Sequence, residues 1–257
     1  MLIDSHCHLT DERLAPFAEE IVSSMAEDGL EGMITVGYDR ESSLGGLAVA
    51  RAHDGVYCTL GVHPHDADKA DEETYREFRS LAADGKVVGI GEIGLDYYYD
   101  LSPRDVQKRV FREQILLADE CALPVCLHVR DAYGDCFDLL TECKEHLSHG
   151  VLLHCYSGSA EMVREFARFD AYFAFGGAIT FANARRNLEA LAAVPRDRLL
   201  LETDCPYMTP VPYRGKTNFP KFVALVRDKA AEVLGISREK TERIATENTK
   251  RLFNKIK

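Results

Sequence analysis

The chain alternates short, continuously apolar runs with longer segments of helical periodicity. Residues 2–3, 32–36, 56–62, 86–90, 125–127, 151–153, 172–175 and 199–201 read as strands. Helical patterns cover 14–25, 44–52, 72–83, 107–121, 136–143, 160–169, 185–193, 220–234 and 238–253. The segment 107–121 is the clearest of these, with Val110, Phe111, Ile115, Leu116 and Leu117 at helical spacing. Ser237 offers a cap for the last one.

A strand that is apolar throughout, and not on alternate residues, belongs to a parallel sheet buried beneath helices. Eight such strand–helix units in 257 residues predict an α/β protein, a (β/α)8 TIM barrel with one domain over 1–257. An open, doubly wound sheet is the competing arrangement. Such a sheet usually carries a glycine-rich loop after its first strand, where this chain has Asp4-Ser5-His6-Cys7-His8.

Apolar residues at 46% and charged residues at 28% exclude a disordered or fibrous chain. The net charge of −11 excludes a uniformly basic nucleic-acid-binding surface, though not a local basic patch. No run of 18 uncharged apolar residues is present, so no membrane span or membrane association is expected. The opening MLIDSHCHLTDERL reads as no secretory leader. The eight cysteines form no CxxC pair, and several sit in apolar runs, which fits free thiols and a cytoplasmic location. Nothing implies an obligate protein partner.

The polar residues that interrupt the pattern fall just after strands. His6 and His8 follow the first, His63 and His65 the third, Glu92 the fourth, His128 the fifth, His154 the sixth and Asp204 the eighth. In a barrel these positions converge at one end of the axis. His6 and His8, two apart in an extended segment, point the same way and can hold one ion together. Imidazole with carboxylate suits zinc, manganese or a similar divalent ion, and magnesium with fewer nitrogens. A carboxylate such as Glu92 can bridge two ions about 3.5–4 Å apart, which together activate a water and neutralise a phosphate. Each residue also has a plainer reading: a turn pair for His6 and His8, core histidines for His128 and His154, a solvated acid for Glu92, a turn cap for Asp204. His53, His146 and His149 read as surface residues.

Asp4-Ser5-His6-Cys7-His8, Gly61-Val62-His63-Pro64-His65, Gly89-Ile90-Gly91-Glu92-Ile93-Gly94-Leu95-Asp96-Tyr97, His128-Val129-Arg130 and Glu202-Thr203-Asp204-Cys205-Pro206 resemble the TatD family of metal-dependent deoxyribonucleases, a TIM-barrel branch of the amidohydrolase superfamily. Arg214-Gly215-Lys216, Asn218 and Pro220 extend the resemblance past the last strand, so it spans essentially the whole chain. It implies a metal-dependent phosphodiester hydrolase, a 3′-5′ exonuclease on single-stranded DNA or RNA that uses a water activated by two divalent ions (zinc, manganese or magnesium). It also implies the ligand sets: His6, His8, Glu92 and Asp204 for one ion, and Glu92, His128 and His154 for the other.

The same resemblance makes Asp204 the proton acceptor. His63 is the candidate for phosphate binding or leaving-group protonation, which makes Asp204, Glu92 and His63 the catalytic set. Arg130 and Arg214 offer forks for a phosphate and Lys216 a point charge. Arg214 and Lys216 also read as an ordinary solvated loop. Glu202 is expected to orient a neighbour, and Asn218 to pin the loop or cap the next helix. Tyr97, a substrate-binding candidate, is followed by Tyr98 and Tyr99; the cluster either stacks on an unpaired base or packs over the rim. Phe181 is a weaker candidate of the same kind. The acidic balance favours a terminal, short-strand substrate over tracking along duplex. The alternative function is an amidohydrolase-like esterase, amidase or deacylase on a small substrate, since one activated water serves either chemistry.

Overall fold

The computed structural model describes residues 1–257. Its strands are β1 (Leu2–Cys7), β2 (Leu30–Val36), β3 (Val56–Leu60), β4 (Val87–Asp96), β5 (Val125–Arg130), β6 (Val151–Leu153), β7 (Tyr172–Phe175) and β8 (Leu199–Leu201). All neighbours pair in parallel and in chain order, β1 through β8. A bridge between Cys7 and Cys205 joins the first strand to the chain beyond the last and rolls the sheet into a nearly closed barrel. The strand order never reverses, which excludes the doubly wound sheet.

The helices are α1 (Ala18–Ser23), α2 (Arg40–Ala52), α3 (Glu72–Leu81), α4 (Arg104–Glu120), α5 (Tyr133–Glu142), α6 (Ala160–Phe166), α7 (Arg185–Ala193), α8 (Val223–Leu234) and α9 (Arg238–Leu252). Side-chain caps start several of them. Asp39 accepts from Ser42 N–H, Asp71 from Thr74 N–H and Ser237 from Lys240 N–H. The helix expected over 14–25 is instead a 3₁₀ turn at Ala15–Phe17 followed by the short α1, because Phe17 leaves helical geometry (φ −111°, ψ 3°).

One apolar layer lies between strands and helices, and a smaller one fills the barrel axis. The axial layer contains Ile3, Ile34, Val88, Cys126, Leu152 and Leu200, joined by Leu252, Phe253 and Ile256 from the end of α9 and the residues after it. Phe253 is fully buried, which contributes roughly 1.5–3 kcal/mol. Lys255 Nζ donates to the carbonyls of Ala82, Asp84 and Val87, at the entry to β4. The chain terminus thus plugs the N-terminal mouth and leaves the opposite mouth to carry chemistry.

Several strands run further than their apolar pattern predicts. β4 extends through Asp96, so Glu92 lies inside it, and β1 and β5 likewise contain His6 and His128. Pairing shifts register where His6 and Glu92 stand, between Asp4 and Cys7 in β1 and between Ile90 and Ile93 in β4, and resumes beyond them.

Candidate metal centre

The side-chain period of two carries each strand from the apolar axis to a polar layer above it. Cys126 is followed two residues on by His128, and Leu152 by His154. In β1 the pairing shifts register between Asp4 and Cys7, and His6, three residues after the axial Ile3, turns inward. Glu92 is brought in by close strand contact. A Cβ on Gly91 would lie 2.5 Å from Cys126 Cβ, and one on Gly94 (φ +139°) would strike the His128 carbonyl. The two glycines let β4 press against β5 on either side of Glu92.

Glu92 is the hub of the layer. Its Oε2 lies 3.4 Å from His6 Nε2 and 3.7 Å from His8 Nε2, and Asp204 Oδ1 lies 3.8 and 3.4 Å from the same two nitrogens. His6 Nε2 and His8 Nε2 are 3.2 Å apart. Its Oε1 lies 2.9 Å from His128 Nδ1, 2.8 Å from His154 Nε2 and 3.5 Å from His63 Nε2. His128 Nδ1 and His154 Nε2 are 3.4 Å apart.

These spacings match a divalent ion. Four donors at bonds of about 2.1 Å in a tetrahedron stand about 3.4 Å from one another. In the first set, His6 and His8 stand 3.2 Å apart and 3.4–3.8 Å from an oxygen each of Glu92 and Asp204, two nitrogens and two oxygens. The second, Glu92, His128 and His154, supplies three donors and leaves its remaining side toward His63. All six residues are buried or nearly so.

Charge in the layer is balanced within it. Burial works against ionising Glu92, but His154, His63 and His128 outweigh it and hold the carboxyl well below its usual range. Asp204 is treated alike: burial raises it, and the hydrogen bond from His8 with the charges of His154 and His6 brings it below the usual value. Burial and the neighbouring His128 lower His63 to about 4. Its Nδ1 accepts the His65 N–H at 3.2 Å, so the neutral ring carries its proton on Nε2, toward Glu92.

The profile of the family described as TatD related DNase matches residues 3–254 of the chain. This protein belongs to that family. Among curated relatives it is 42% identical to the Bacillus subtilis protein called uncharacterized metal-dependent hydrolase YabD, over 98% of this chain and 99% of that one. It is 34% identical to the 3′-5′ ssDNA/RNA exonuclease TatD of Cronobacter sakazakii, over 99% and 98% of the two chains. The crystal structure of YjjV, a TatD homologue from Escherichia coli K12, superposes with a TM-score of 0.92 at 29% identity, covering 98% of each chain. The protein is therefore a TatD-family metal-dependent hydrolase.

A ring of partners orients the TatD donors from behind. His8 Nδ1 donates to the Val36 carbonyl at 3.3 Å, which leaves Nε2 free to face the centre. Glu202 Oε1 accepts the Cys155 N–H at 2.5 Å and lies 3.5 Å from His154 Nδ1. Asp4, its carboxyl pushed up to about 8 by burial, bonds Thr203 and ties β1 to the segment bearing Asp204. Asn218 pins the loop after β8 through the carbonyls of Thr203 and Tyr207.

Asp96 stands within a sequence motif that by itself gives it no role. It is fully buried, and its Oδ2 accepts from His65 Nε2 at 3.0 Å and from His128 Nε2 at 2.9 Å. Its Oδ1 accepts the backbone N–H groups of Tyr98 and Tyr99. An acid two residues past the glycine that passes β4 against β5 was the available signal.

The remaining candidates stand at the rim. Arg130 is half-buried at the end of β5, and Arg214 and Lys216 are exposed on the loop after β8; none of the three forms an ion pair. Arg214 stacks 4.2 Å over Phe181. Tyr97 is the tethered member of its cluster, half-buried with its hydroxyl donating to Asp135 at 2.6 Å, while Tyr98 and Tyr99 are exposed. His53, His146 and His149 lie away from the centre, paired with Glu19 or Asp119.

Proposed function

We propose that this TatD-family hydrolase removes nucleotides from the 3′ ends of single-stranded DNA or RNA, using two divalent ions (zinc, manganese or magnesium) shared through Glu92. The observation that carries the reading is that Glu92 turns one oxygen to each of two histidine sets. Relatives named 3′-5′ ssDNA/RNA exonuclease support the direction and the substrate. No helix is long and apolar enough to cross a membrane, and all eight cysteines are free; both features support the expectation of a cytoplasmic location.

When bound, the ions supply Lewis acidity and lower the pKa of water, the two requirements of phosphodiester hydrolysis near neutral pH. His6, His8, Glu92 and Asp204 would hold one, and Glu92, His128 and His154 the other. Asp204 stays ionised in its histidine surroundings and takes the proton of the attacking water. Neutral His63 presents Nε2–H as a hydrogen-bond donor to a phosphate oxygen or to the departing oxygen. Arg130, with no carboxylate partner, takes a non-bridging oxygen as a fork, and Arg214 and Lys216 meet phosphates further along the strand.

The test is hydrolysis of a 5′-labelled single-stranded oligonucleotide by metal-stripped protein resupplied with magnesium, manganese or zinc. Glu92→Ala protein guards against a contaminating nuclease. Metal-dependent, Glu92-dependent stepwise shortening from the 3′ end is the expected result. Intact oligonucleotide with every ion, together with turnover of small esters or amides, would overturn the reading in favour of amidohydrolase-like chemistry.

A further inference from the structure

Two aromatic surfaces border the donor layer at opposite edges. Beyond His128, the Tyr99 ring stands edge-on to His65 at 5.3 Å, and Tyr98 packs against Tyr99 at 4.9 Å. Beyond His8, the Tyr207 ring stands edge-on at 6.0 Å. All three rings are strongly exposed: 59% for Tyr98, 53% for Tyr99 and 46% for Tyr207. Large aromatic area left in water beside a reaction centre marks a binding surface.

Each surface is backed by an arginine and locked by a buried aspartate. The Arg130 guanidinium lies 4.0 Å over Tyr98 and 4.9 Å from Tyr99, whose backbone N–H groups are held by Asp96. The Arg13 guanidinium lies 4.3 Å over Tyr207, whose hydroxyl donates to Asp11 at 3.0 Å. Arg13 in turn grips both oxygens of Asp11, at 2.9 and 3.0 Å. The Tyr207 ring is therefore anchored through its hydroxyl, and the backbone that carries Tyr98 and Tyr99 is held, before a ligand arrives, which lowers the ordering cost of binding.

Resting on the nucleic-acid reading above, we infer that these surfaces are two base platforms, one for each nucleotide flanking the scissile phosphate. A phosphate drawn to the donor layer has the Tyr98–Tyr99 surface on one side and Tyr207 on the other. Bases in a duplex stack about 3.4 Å apart along one strand. Bases held at opposite edges of the centre cannot stack on each other, so the recognised unit is two unpaired, splayed nucleotides. A duplex end must fray by two pairs before it fits. Stacking is indifferent to base identity, so the platforms select for strandedness and not for sequence.

The experiment uses metal-loaded protein and short single-stranded oligonucleotides carrying an abasic residue at the 3′-terminal or the penultimate position. Each abasic residue should raise KM by about tenfold, the scale of one lost base stack. Tyr207→Ala should abolish the penalty at one of the two positions, and the double variant Tyr98→Ala/Tyr99→Ala at the other. Tyr207→Phe, which keeps the ring and loses only the hydroxyl, should keep the penalty. As a readout independent of turnover, 2-aminopurine on either side of a non-hydrolysable methylphosphonate linkage should be quenched on binding, and each variant should relieve one position. Abasic penalties unchanged in the variants, or a blunt duplex shortened as fast as a single strand, would overturn the platforms while the nuclease reading stands. Neither cleavage nor quenching with any oligonucleotide would overturn both.

Discussion

Asp96 decides which nitrogen of His128 meets Glu92. Its Oδ2 accepts His128 Nε2–H at 2.9 Å, and the opposite nitrogen, Nδ1, is left facing Glu92 Oε1 at 2.9 Å. The same oxygen accepts from His65, and the two histidines with the Tyr99 N–H offset the cost of burial and hold the carboxyl far below its usual range. A donor nitrogen whose ring is fixed from behind is a better ligand than one free to rotate.

Replacing Asp96 by Asn should therefore loosen the second ion without unfolding the barrel. Amide and carboxylate are alike in size, but the amide turns a donor toward one of its partners. We expect a 10–100-fold loss of affinity at the second site and a smaller change at the first. Metal titration of the stripped variant, read by calorimetry, checks this. Equal loss at both sites would contradict the role given to Asp96.

Glu92→Ala removes a donor from both sets at once. Both occupancies should fall, with activity down more than about 100-fold, the upper end of what loss of an orienting partner alone produces. Because bound ions stabilise the folded state, chelation should lower the Tm of the wild type. The variant should show little further change on chelation, and a wild-type far-ultraviolet circular dichroism spectrum.

His63 provides a pH signature in the metal-free protein. Burial and then His128 set its folded value at about 4, below its ordinary 6.5. A depressed value means that its neutral form favours the folded state above pH 6.5, and that this contribution is lost as pH falls from 6.5 toward 4. His63→Asn should thus show a shallower decline in urea midpoint between pH 7 and 5 than the metal-free wild type. Identical slopes would show that His63 titrates normally.

Gly91→Ala tests the approach of β4 to β5. The added methyl would stand 2.5 Å from Cys126 Cβ and 2.7 Å from its carbonyl oxygen, so strands must separate. Overpacking of this kind costs about 1–3 kcal/mol. Urea unfolding of the metal-free variant should show that loss, and metal binding should weaken because Glu92 moves with its strand.

The barrel was legible in the sequence because a parallel sheet buried on both faces writes a continuous apolar run for each strand. Eight runs separated by helical periods leave few other arrangements. The positions His6, His8, Glu92, His128, His154 and Asp204 stand out in the sequence too, because each follows an apolar run within a few residues. The extent of β4 was not, since Glu92 and Asp96 look like strand ends to a pattern that cannot see their partners.

What the sequence by itself determined is the list of polar groups that must share one mouth of one barrel. Local periodicity and chain order suffice for that. Only the tertiary structure decided which oxygen of Glu92 faces which histidines, that Asp96 sets the His128 ring, and that Tyr98, Tyr99 and Tyr207 stand exposed while Tyr97 is tied down. Those are relations between residues distant in the chain, such as Glu92 and His154, or Asp11 and Tyr207. Their distances arise from closure and register of the strands, which local patterning does not encode.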